Sequence, residues 1–505
     1  MRTATFVKSA LSALLAGAVL SACQGGGPGV VVTVSPAEIA LLPGSEQTFT
    51  AFVSGTANPE VAWAATAGVV DGGGATINFH APAAPGSYEL TATSVADPTR
   101  HATAKVTVVG PGDRLWTRLS VEDPLVLAGP LAVDGADNIL MLGYGSELAE
   151  REGGRGTDVL VRKYSPAAEL IWERRFGSLG DLEDAGIDDI PSSIAVDAAG
   201  RIVVGGSTTG PLAGPNQGKT DAFVRLFAPT GETLWTRQFG TSEEDDIAGV
   251  AMGDEGRVIV VGTTEGTLQG PVTGSRNAFV RMYDLNGDIV WTNQFGGESS
   301  HAAKAVVVDP AGNIIVTGYA YPGAVNQEVF MRAYSAAGAL LLSTTFGTAE
   351  DDSGDAIAVD TVGNVFVAGS TEGALGADNA GEEDVFVRKY DPMGNVLWTR
   401  QFGSGSDDRV VGVATDAAGN VLVGGYSLGA LAGDSGAWLE GFVRKYSATG
   451  SVIWTRSITV GTISIATGIA VDSTGSVLVS GSASVQDDDD PDASTLQSYL
   501  VKLAP

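Results

Sequence analysis

The 505-residue chain holds one cysteine, Cys23, and three histidines. A single thiol excludes an intramolecular disulfide. So few histidines exclude a multi-histidine metal centre and leave little for a Ser-His-Asp arrangement. Positive charge is scarce as well: 29 Lys and Arg stand against 59 Asp and Glu, a formal charge of −30. Phosphate backbones need clustered cations, so no nucleic-acid partner is expected. Beyond the N-terminus no apolar run reaches the roughly 18 residues of a membrane-spanning helix. Helix-period stretches are nearly missing, whereas Gly is abundant at 69 residues. Few helices and many tight turns point to an all-β protein, and the length allows two or three domains.

At the N-terminus, Arg2 and Lys8 flank or precede an apolar stretch, Ala10 to Leu20, of signal-peptide length. It ends in Leu20-Ser21-Ala22-Cys23, which resembles the lipobox of bacterial lipoproteins. The resemblance implies a signal peptide over 1–22, cleavage before Cys23, and lipid attachment at that residue. The expectation is an exported, monomeric lipoprotein held to the cell membrane or outer membrane by lipid alone, facing outward or periplasmic. Residues 23–29, the acylated Cys and Q-G-G-G-P-G, then form a flexible tether.

Residues 30–110 carry short alternating runs, among them Gln47 to Val53, Thr76 to Phe79, Tyr88 to Ala92 and Ala104 to Val108. Turn pairs such as Pro43-Gly44 and Asn58-Pro59 separate them. That spacing predicts a small β-sandwich with Trp63 at the centre of its core. The pattern V-x-P, L-x-P-G, F-x-A, V-x-W, G-x-Y-x-L-T-A, A-x-V-T-V resembles bacterial Ig-like domains of surface proteins. Pro111-Gly112 marks a domain boundary.

From about Asp113 to Pro505 three phrases recur. A-V-D-x-x-G-N-V places its Asp at 134, 197, 254, 309, 360, 416 and 472, in steps of 51 to 63 residues. F-V-R-K-Y places a basic residue at Arg162, Arg225, Arg281, Arg332, Arg388, Arg444 and Lys502. L-W-T-R-Q-F-G is anchored by Trp116, Trp172, Trp235, Trp291, Leu342, Trp398 and Trp454. A period of about 50 to 60 residues made of short alternating strands is the signature of β-propeller blades. The run D-D-x-x-x-x-I-A-V-D-x-x-G-N-V-x-V-x-G resembles the SBBP family of β-propeller repeats, and the second half of each repeat is similar to quinoprotein-type blades. The expected fold is all-β: a seven-bladed β-propeller over 113–505, preceded by a small Ig-like β-sandwich.

One repeat yields four strands: A from Ala356 to Val359, B from Asn364 to Ala368, C from Val385 to Tyr390, and D from Asn395 to Phe402. Hairpins with Gly at positive φ join A to B and C to D. The repeated Asp is read as a turn residue accepting nearby backbone N–H groups. Arg162, Arg225, Arg281, Arg388 and Arg444 stand ten residues before Trp172, Trp235, Trp291, Trp398 and Trp454. This spacing predicts that each Arg lies opposite its Trp in a cation–π pair, with the indole filling the gap between neighbouring blades. The last repeat stops after strand C. Its D strand is expected to be Arg114 to Arg118, within residues 114–120, which pairs Trp116 with Lys502, closes the ring and removes open edges.

The A–B and C–D hairpins fall on one face of such a ring, and the D–A and B–C loops on the other. The loop face is acidic, with Asp181, Glu183, Asp184, Asp188 and Asp189, then Glu243 and Glu244, Glu350 and Asp355, and Asp487 to Asp490 with Asp492. Asp245, Asp246, Asp351, Asp352, Asp407 and Asp408 recur just before A strands, which predicts a carboxylate ring able to hold Ca²⁺ or a basic partner. A solvated acidic rim is the alternative. No catalytic residue is assigned, and no cofactor beyond Ca²⁺ is expected. The expected function is a non-catalytic binding or scaffold module for a protein or glycan at the cell envelope. A polysaccharide lyase or hydrolase using loop-face acids, and a calcium-dependent surface adhesin, are the alternatives.

Overall fold

The computed structural model describes residues 29–120, 126–146, 156–178, 187–270, 274–297, 300–321, 326–431, 439–486 and 494–505. Cys23, the stretch before it, Asp181, Glu183, Asp184, Asp487 to Asp490 and Asp492 lie outside them. The chain divides into two compact units, Met1–Val108 and Val109–Pro505, both all-β.

In the first unit the strands are β1 (Val31–Ser35), β2 (Glu38–Leu41), β3 (Glu46–Ser54), β4 (Val61–Ala65), β5 (Val69–Gly73), β6 (Thr76–His80), β7 (Gly86–Ser94) and β8 (His101–Val108). They form two four-stranded sheets, ordered β1-β3-β6-β5 and β2-β8-β7-β4. Period-two alternation turns Phe49, Ile77 and Phe79 of one sheet and Leu90, Ala104 and Val106 of the other into a shared core. Its centre is Phe49 and Phe79, whose rings meet edge to face at 6.1 Å. Trp63, expected at that centre, is half-buried at the margin of the core. Its Nε1 donates to the Gly74 carbonyl at 2.9 Å, and an indole N–H that needs a polar partner keeps the ring at the edge.

The second unit consists of four-stranded antiparallel sheets consistent with a β-propeller, seven of them among the described residues. Their A strands are Val126–Val133, Asp189–Val196, Asp245–Met252, His301–Val308, Asp352–Val359, Asp408–Thr415 and Ile463–Val471. In the first six sheets B, C and D follow in order; in the fifth they are Val365–Thr371, Asp384–Tyr390 and Val396–Phe402. Strand A of that sheet starts at Asp352 rather than Ala356, because a bulge between Gly354 and Ala356 breaks the alternation. Successive A strands pack side by side, and the first packs against the seventh. B and C are buried runs of Val, Ile and Phe, whereas D exposes residues such as Val396 and Leu397.

The seventh sheet takes its D strand from Arg114–Leu119, with Trp116 opposite Lys502. Its C–D turn is assembled from two distant segments. The Gly112 N–H donates to Ala504 O at 3.0 Å, and the Ala504 N–H to Asp113 O at 2.8 Å.

The expected Arg–Trp pairs do not form. A register shift between Lys389 and Tyr390 sets Trp398 opposite Lys389 and Arg388 opposite Thr399. The same shift puts Trp172, Trp235, Trp291 and Trp454 opposite Lys163, Leu226, Met282 and Lys445. Arg and Trp therefore leave opposite faces of the sheet. Arg225, Arg281, Arg388 and Arg444 lie over Phe176, Phe239, Phe346 and Phe402 of the preceding sheet, at 3.8, 4.1, 4.0 and 3.9 Å from the ring centroids. Arg162 instead donates to Glu173 Oε2 at 2.8 Å. Lys502 corresponds to Lys389 and not to the arginines, since Leu478 opposes it as Phe366 opposes Lys389.

Trp172, Trp235, Trp398 and Trp454 each work with the Arg two residues later, whereas beside Trp291 that place is taken by Asn293, whose Nδ2 donates to Gly338 O at 2.8 Å. Arg237 lies over Trp235 at 5.4 Å, and the pair grips the C–D turn of the next sheet. Trp235 Nε1 donates to Leu285 O and Arg237 Nε to Gly287 O, both at 2.9 Å. Gly287, at φ +80°, lies flat against the indole: a Cβ there would come within 2.8 Å of Trp235. Gly112, at φ +76°, meets Trp454 in the same way, so the assembled turn of the seventh sheet offers the surface that the covalent turns offer elsewhere.

Candidate functional site

At the hairpin end the repeated Asp is structural. Asp360 Oδ1 accepts the N–H groups of Val362 and Asn364 at 3.1 and 2.8 Å, closing the A–B turn. A strand-C lysine adds charge: Asp134–Lys163 at 2.8 Å, Asp360–Lys389 at 3.8 Å, Asp416–Lys445 at 3.0 Å and Asp472–Lys502 at 2.7 Å. Burial opposes ionisation of Asp134, Asp416 and Asp472. Hydrogen bonds from the lysines and the turn outweigh it and hold these carboxyls below the usual range.

At the loop end the six aspartates do not form a ring of equivalent groups. Asp245, Asp352 and Asp408 each open an A strand and are buried, and each closes its own D–A loop by accepting the N–H of Thr241, Thr348 or Ser404. Asp246 is one residue later in the repeat and accepts from the Thr263 hydroxyl. Asp351 and Asp407 are one residue earlier, and Asp351 accepts the Gln327 N–H at 2.8 Å. Tandem acids at 245–246 are thus out of phase with those at 351–352 and 407–408, and the pleat sends successive residues to opposite faces. Among the described residues no group of three or more His, Cys, Asp or Glu could hold a metal ion.

Charged groups converge instead in a cavity of about 520 Å³ between the fourth, fifth and sixth sheets. Its walls are the first residues of A strands (Lys304, Asp352, Ser353, Asp355, Arg409), the ends of B strands (Tyr319, Ser370, Tyr426), and Asp351, Glu372 and Glu383 beside them. Lys304 and Asp355 are the bulge residues of their strands. The corresponding residues elsewhere are Ser192, Ala248, Val411 and Thr467, and in the first sheet the irregularity spans Gly129 and Pro130. A bulge residue leaves the ladder and can be re-aimed, so two adjacent sheets present opposite charges where others present none. This departure from the repeat was legible in the chain, but a search for shared motifs passes over what differs between copies.

Arg409 pairs with Glu383 at 2.5 Å, and the Ser370 hydroxyl donates to Glu383 Oε1 at 3.0 Å. Ser353 Oγ donates to Asp355 Oδ1 at 2.7 Å, and Lys304 Nζ lies 5.5 Å above the Tyr319 ring. Burial pushes the Asp355 carboxyl up against the pull of Lys304 and Arg409. Burial, with Asp407 and Asp355 near, likewise raises Glu383 despite Arg409. Glu372, at the rim, is raised by partial desolvation and by the charges of Asp351 and Glu383. Asp352 is 1 % exposed, lines the cavity, and leaves Oδ1 without a hydrogen-bond partner. The histidines are elsewhere: His301 packs on Phe295 and Phe330, and His80 and His101 belong to the first unit.

Residues 343–376 and 397–431 match the SBBP family, described as a beta-propeller repeat. The chain carries SBBP β-propeller repeats. These two matches span strand D of the fourth sheet into the B–C loop of the fifth, and D of the fifth into the same loop of the sixth, so they bracket the cavity. Among curated proteins, the regulatory protein FlaEY of Caulobacter vibrioides is 28% identical over 205 residues, 37% of this chain and 21% of that protein. An uncharacterized WD repeat-containing protein, L264, of Acanthamoeba polyphaga mimivirus is 22% identical over 437 residues, 64% of this chain and 31% of that one. The matches thus cover less than a third of either relative's length. Solved structures with a similar course include the Pan2 WD40 domain of Neurospora crassa (14% identity, TM-score 0.36, 62% of this chain and 89% of that one). A quinonprotein alcohol dehydrogenase-like protein of Bacteroides thetaiotaomicron is another (10% identity, TM-score 0.38, 84% and 94%).

Proposed function

We propose that the protein is exported, is held to a membrane by lipid on Cys23, and acts as a non-catalytic binding module for a protein or glycan. In this reading the second unit is a closed seven-bladed propeller, the first an Ig-like spacer, and the cavity at Lys304, Asp355 and Arg409 the ligand site. The lipobox resemblance supports the anchor. The contact between first and seventh A strands and the D strand from Arg114–Leu119 support closure.

The observation that carries the binding role is the concentration of repeat-breaking charges in one cavity, whereas repeated residues such as Asp360 and Trp235 are engaged in turns and inter-sheet packing. Two of its charged groups are tied to each other, Arg409 to Glu383, and Asp355 is held by the Ser353 hydroxyl, which suits recognition by fixed partners. Binding of the whole chain to glycan and envelope-peptide arrays is the test. Lys304→Ala and Arg409→Ala are expected to lose at least roughly tenfold in affinity for the ligand found, with melting little changed. Undiminished binding would place the site elsewhere. Turnover of a polysaccharide, abolished by Asp355→Asn, would favour the enzyme alternative.

A further inference from the structure

We propose that a second cavity, beside Leu342 at the hairpin end of the fourth and fifth sheets, binds a small aromatic ammonium ion: a planar ring of indole size carrying a protonated amine. The space arises from two truncations that face each other. Leu342 stands opposite Ala333 across strands C and D of the fourth sheet. The same cross-strand pair is Trp172 with Lys163, Trp398 with Lys389 and Trp454 with Lys445. In the second and third sheets it is Trp235 with Leu226 and Trp291 with Met282, where a long apolar side chain takes the lysine's place. The fourth sheet sets a leucine against an alanine, and about 180 Å³ stays open.

The neighbouring sheet shows what such a space holds when it is full. Trp398 Nε1 and Lys389 Nζ both donate to Ala448 O, each at 3.2 Å, and the ammonium stands 3.8 Å from Asp360 Oδ2. An indole and an ammonium thus lie side by side against one turn and one carboxylate. Their counterparts in the fourth sheet's cavity are the turn residue Pro392 and the repeated Asp309, and both line it. Among the described residues no donor reaches Pro392 O and no cation pairs with Asp309. The Asp309 carboxylate closes its turn by accepting from the Ala311 and Asn313 N–H groups and from Asn313 Nδ2, at 2.8 to 2.9 Å, so its charge stays unneutralised. Asp254 likewise lacks a lysine, but there Met282, 2 % exposed, occupies the place. Ile315, Met331, Val365 and Tyr390 supply apolar walls for a ring. An apolar cavity of about 150 Å³ takes up benzene, whereas drug-sized ligands need upward of about 300 Å³. This space therefore suits one small ring system, with its amine directed to Asp309.

The probes are tryptamine, its neutral analogue tryptophol, and hexylamine, a cation without a ring, titrated into the full chain by calorimetry. Tryptamine is expected to bind once per chain with a Kd of roughly 0.1 to 1 mM, tryptophol at least roughly tenfold more weakly, and hexylamine not measurably. Leu342→Trp and Ala333→Lys each restore the side chain that the fifth sheet carries and so refill the space. Both should abolish tryptamine binding, with melting unchanged or raised. Asp309→Asn keeps an acceptor for the turn and should bring tryptamine to the level of tryptophol, whose own binding stays as it was. Glu232→Gln, an equal charge change in an exposed C–D turn, is expected to leave both unmoved, which separates Asp309 from the general negative charge of the chain. Circular dichroism establishes that each variant folds. The proposal is overturned if tryptamine does not bind, if tryptophol or hexylamine binds as tightly, or if folded Leu342→Trp and Ala333→Lys bind tryptamine like the natural chain. It is equally overturned if a capped dipeptide of tryptophan and lysine binds more tightly than tryptamine, since the site would then serve a protein segment and not a small molecule.

Discussion

Gly287 has its φ in the left-handed region and lies against the Trp235 indole, so an added methyl is strained twice. Gly287→Ala is expected to lower stability by roughly 1–3 kcal/mol in urea unfolding. An unchanged midpoint would show that the turn shifts freely under the indole. Asp408 probes a different cost. Burial, with repulsion from Asp384, raises its carboxyl above the unfolded value. Such a group contributes stability that is complete below the unfolded pKa of about 3.9 and is lost as pH rises through the folded one. Asp408→Asn keeps an acceptor for the Ser404 N–H and cannot ionise. The variant should therefore gain on the natural chain as pH rises from about 4 to about 7. A difference that stays flat with pH would place the native pKa near the ordinary value.

At the scale of elements the latch between sheets lacks its indole in the fourth sheet. Leu342 stands where other D strands carry Trp, and a cavity of about 180 Å³ lies between it and the Pro392–Gly394 turn. Thr344 stands where the partner Arg belongs. Leu342→Trp with Thr344→Arg should fill the gap and restore the grip on the turn, raising stability by roughly 1–2 kcal/mol in thermal or urea unfolding. A destabilised double variant would mean that this turn cannot reach the indole. The strand Arg114–Leu119 is the other test. A chain starting at Pro124 leaves the seventh sheet with three strands, an open edge beside Lys502, and nothing to form the turn under Trp454. It is expected to melt at a lower temperature and less cooperatively; melting like the full chain would show that strand D is dispensable there.

For the whole molecule, location is the proposal most directly open to experiment. Metabolic labelling with a fatty-acid analogue in a bacterial host is expected to mark the natural chain and not Cys23→Ala, because Cys23 is the sole thiol. Labelling of both would end the lipoprotein reading. With a net charge of −30 the body itself should not adhere to anionic lipid, so loss of the acyl group should release it into the soluble fraction.

All-β character and propeller repeats were legible in the chain because each copy repeats the same local instructions: an Asp that closes a hairpin, a Gly where φ is positive, alternating Val and Ile between. Such signals act within a few residues, and seven copies reinforce one another. The partner of each Arg was not legible, since a single register shift at the C–D turn, as between Lys389 and Tyr390, exchanges the faces of the sheet and sends Arg388 to Phe346 of the preceding sheet. Nor was the place of Trp63, whose N–H holds it at the margin while Phe49 and Phe79 take the centre. The tandem acids at 245–246 look equivalent in sequence to those at 351–352 and 407–408 but stand one residue out of phase with them. Lys304, Asp355 and Arg409, 51 and 54 residues apart along the chain, meet because adjacent sheets set their bulged A strands side by side. Local periodicity determines strands and turns; which side chains share a cavity depends on register and on packing between sheets, and both are decided only when the tertiary structure forms.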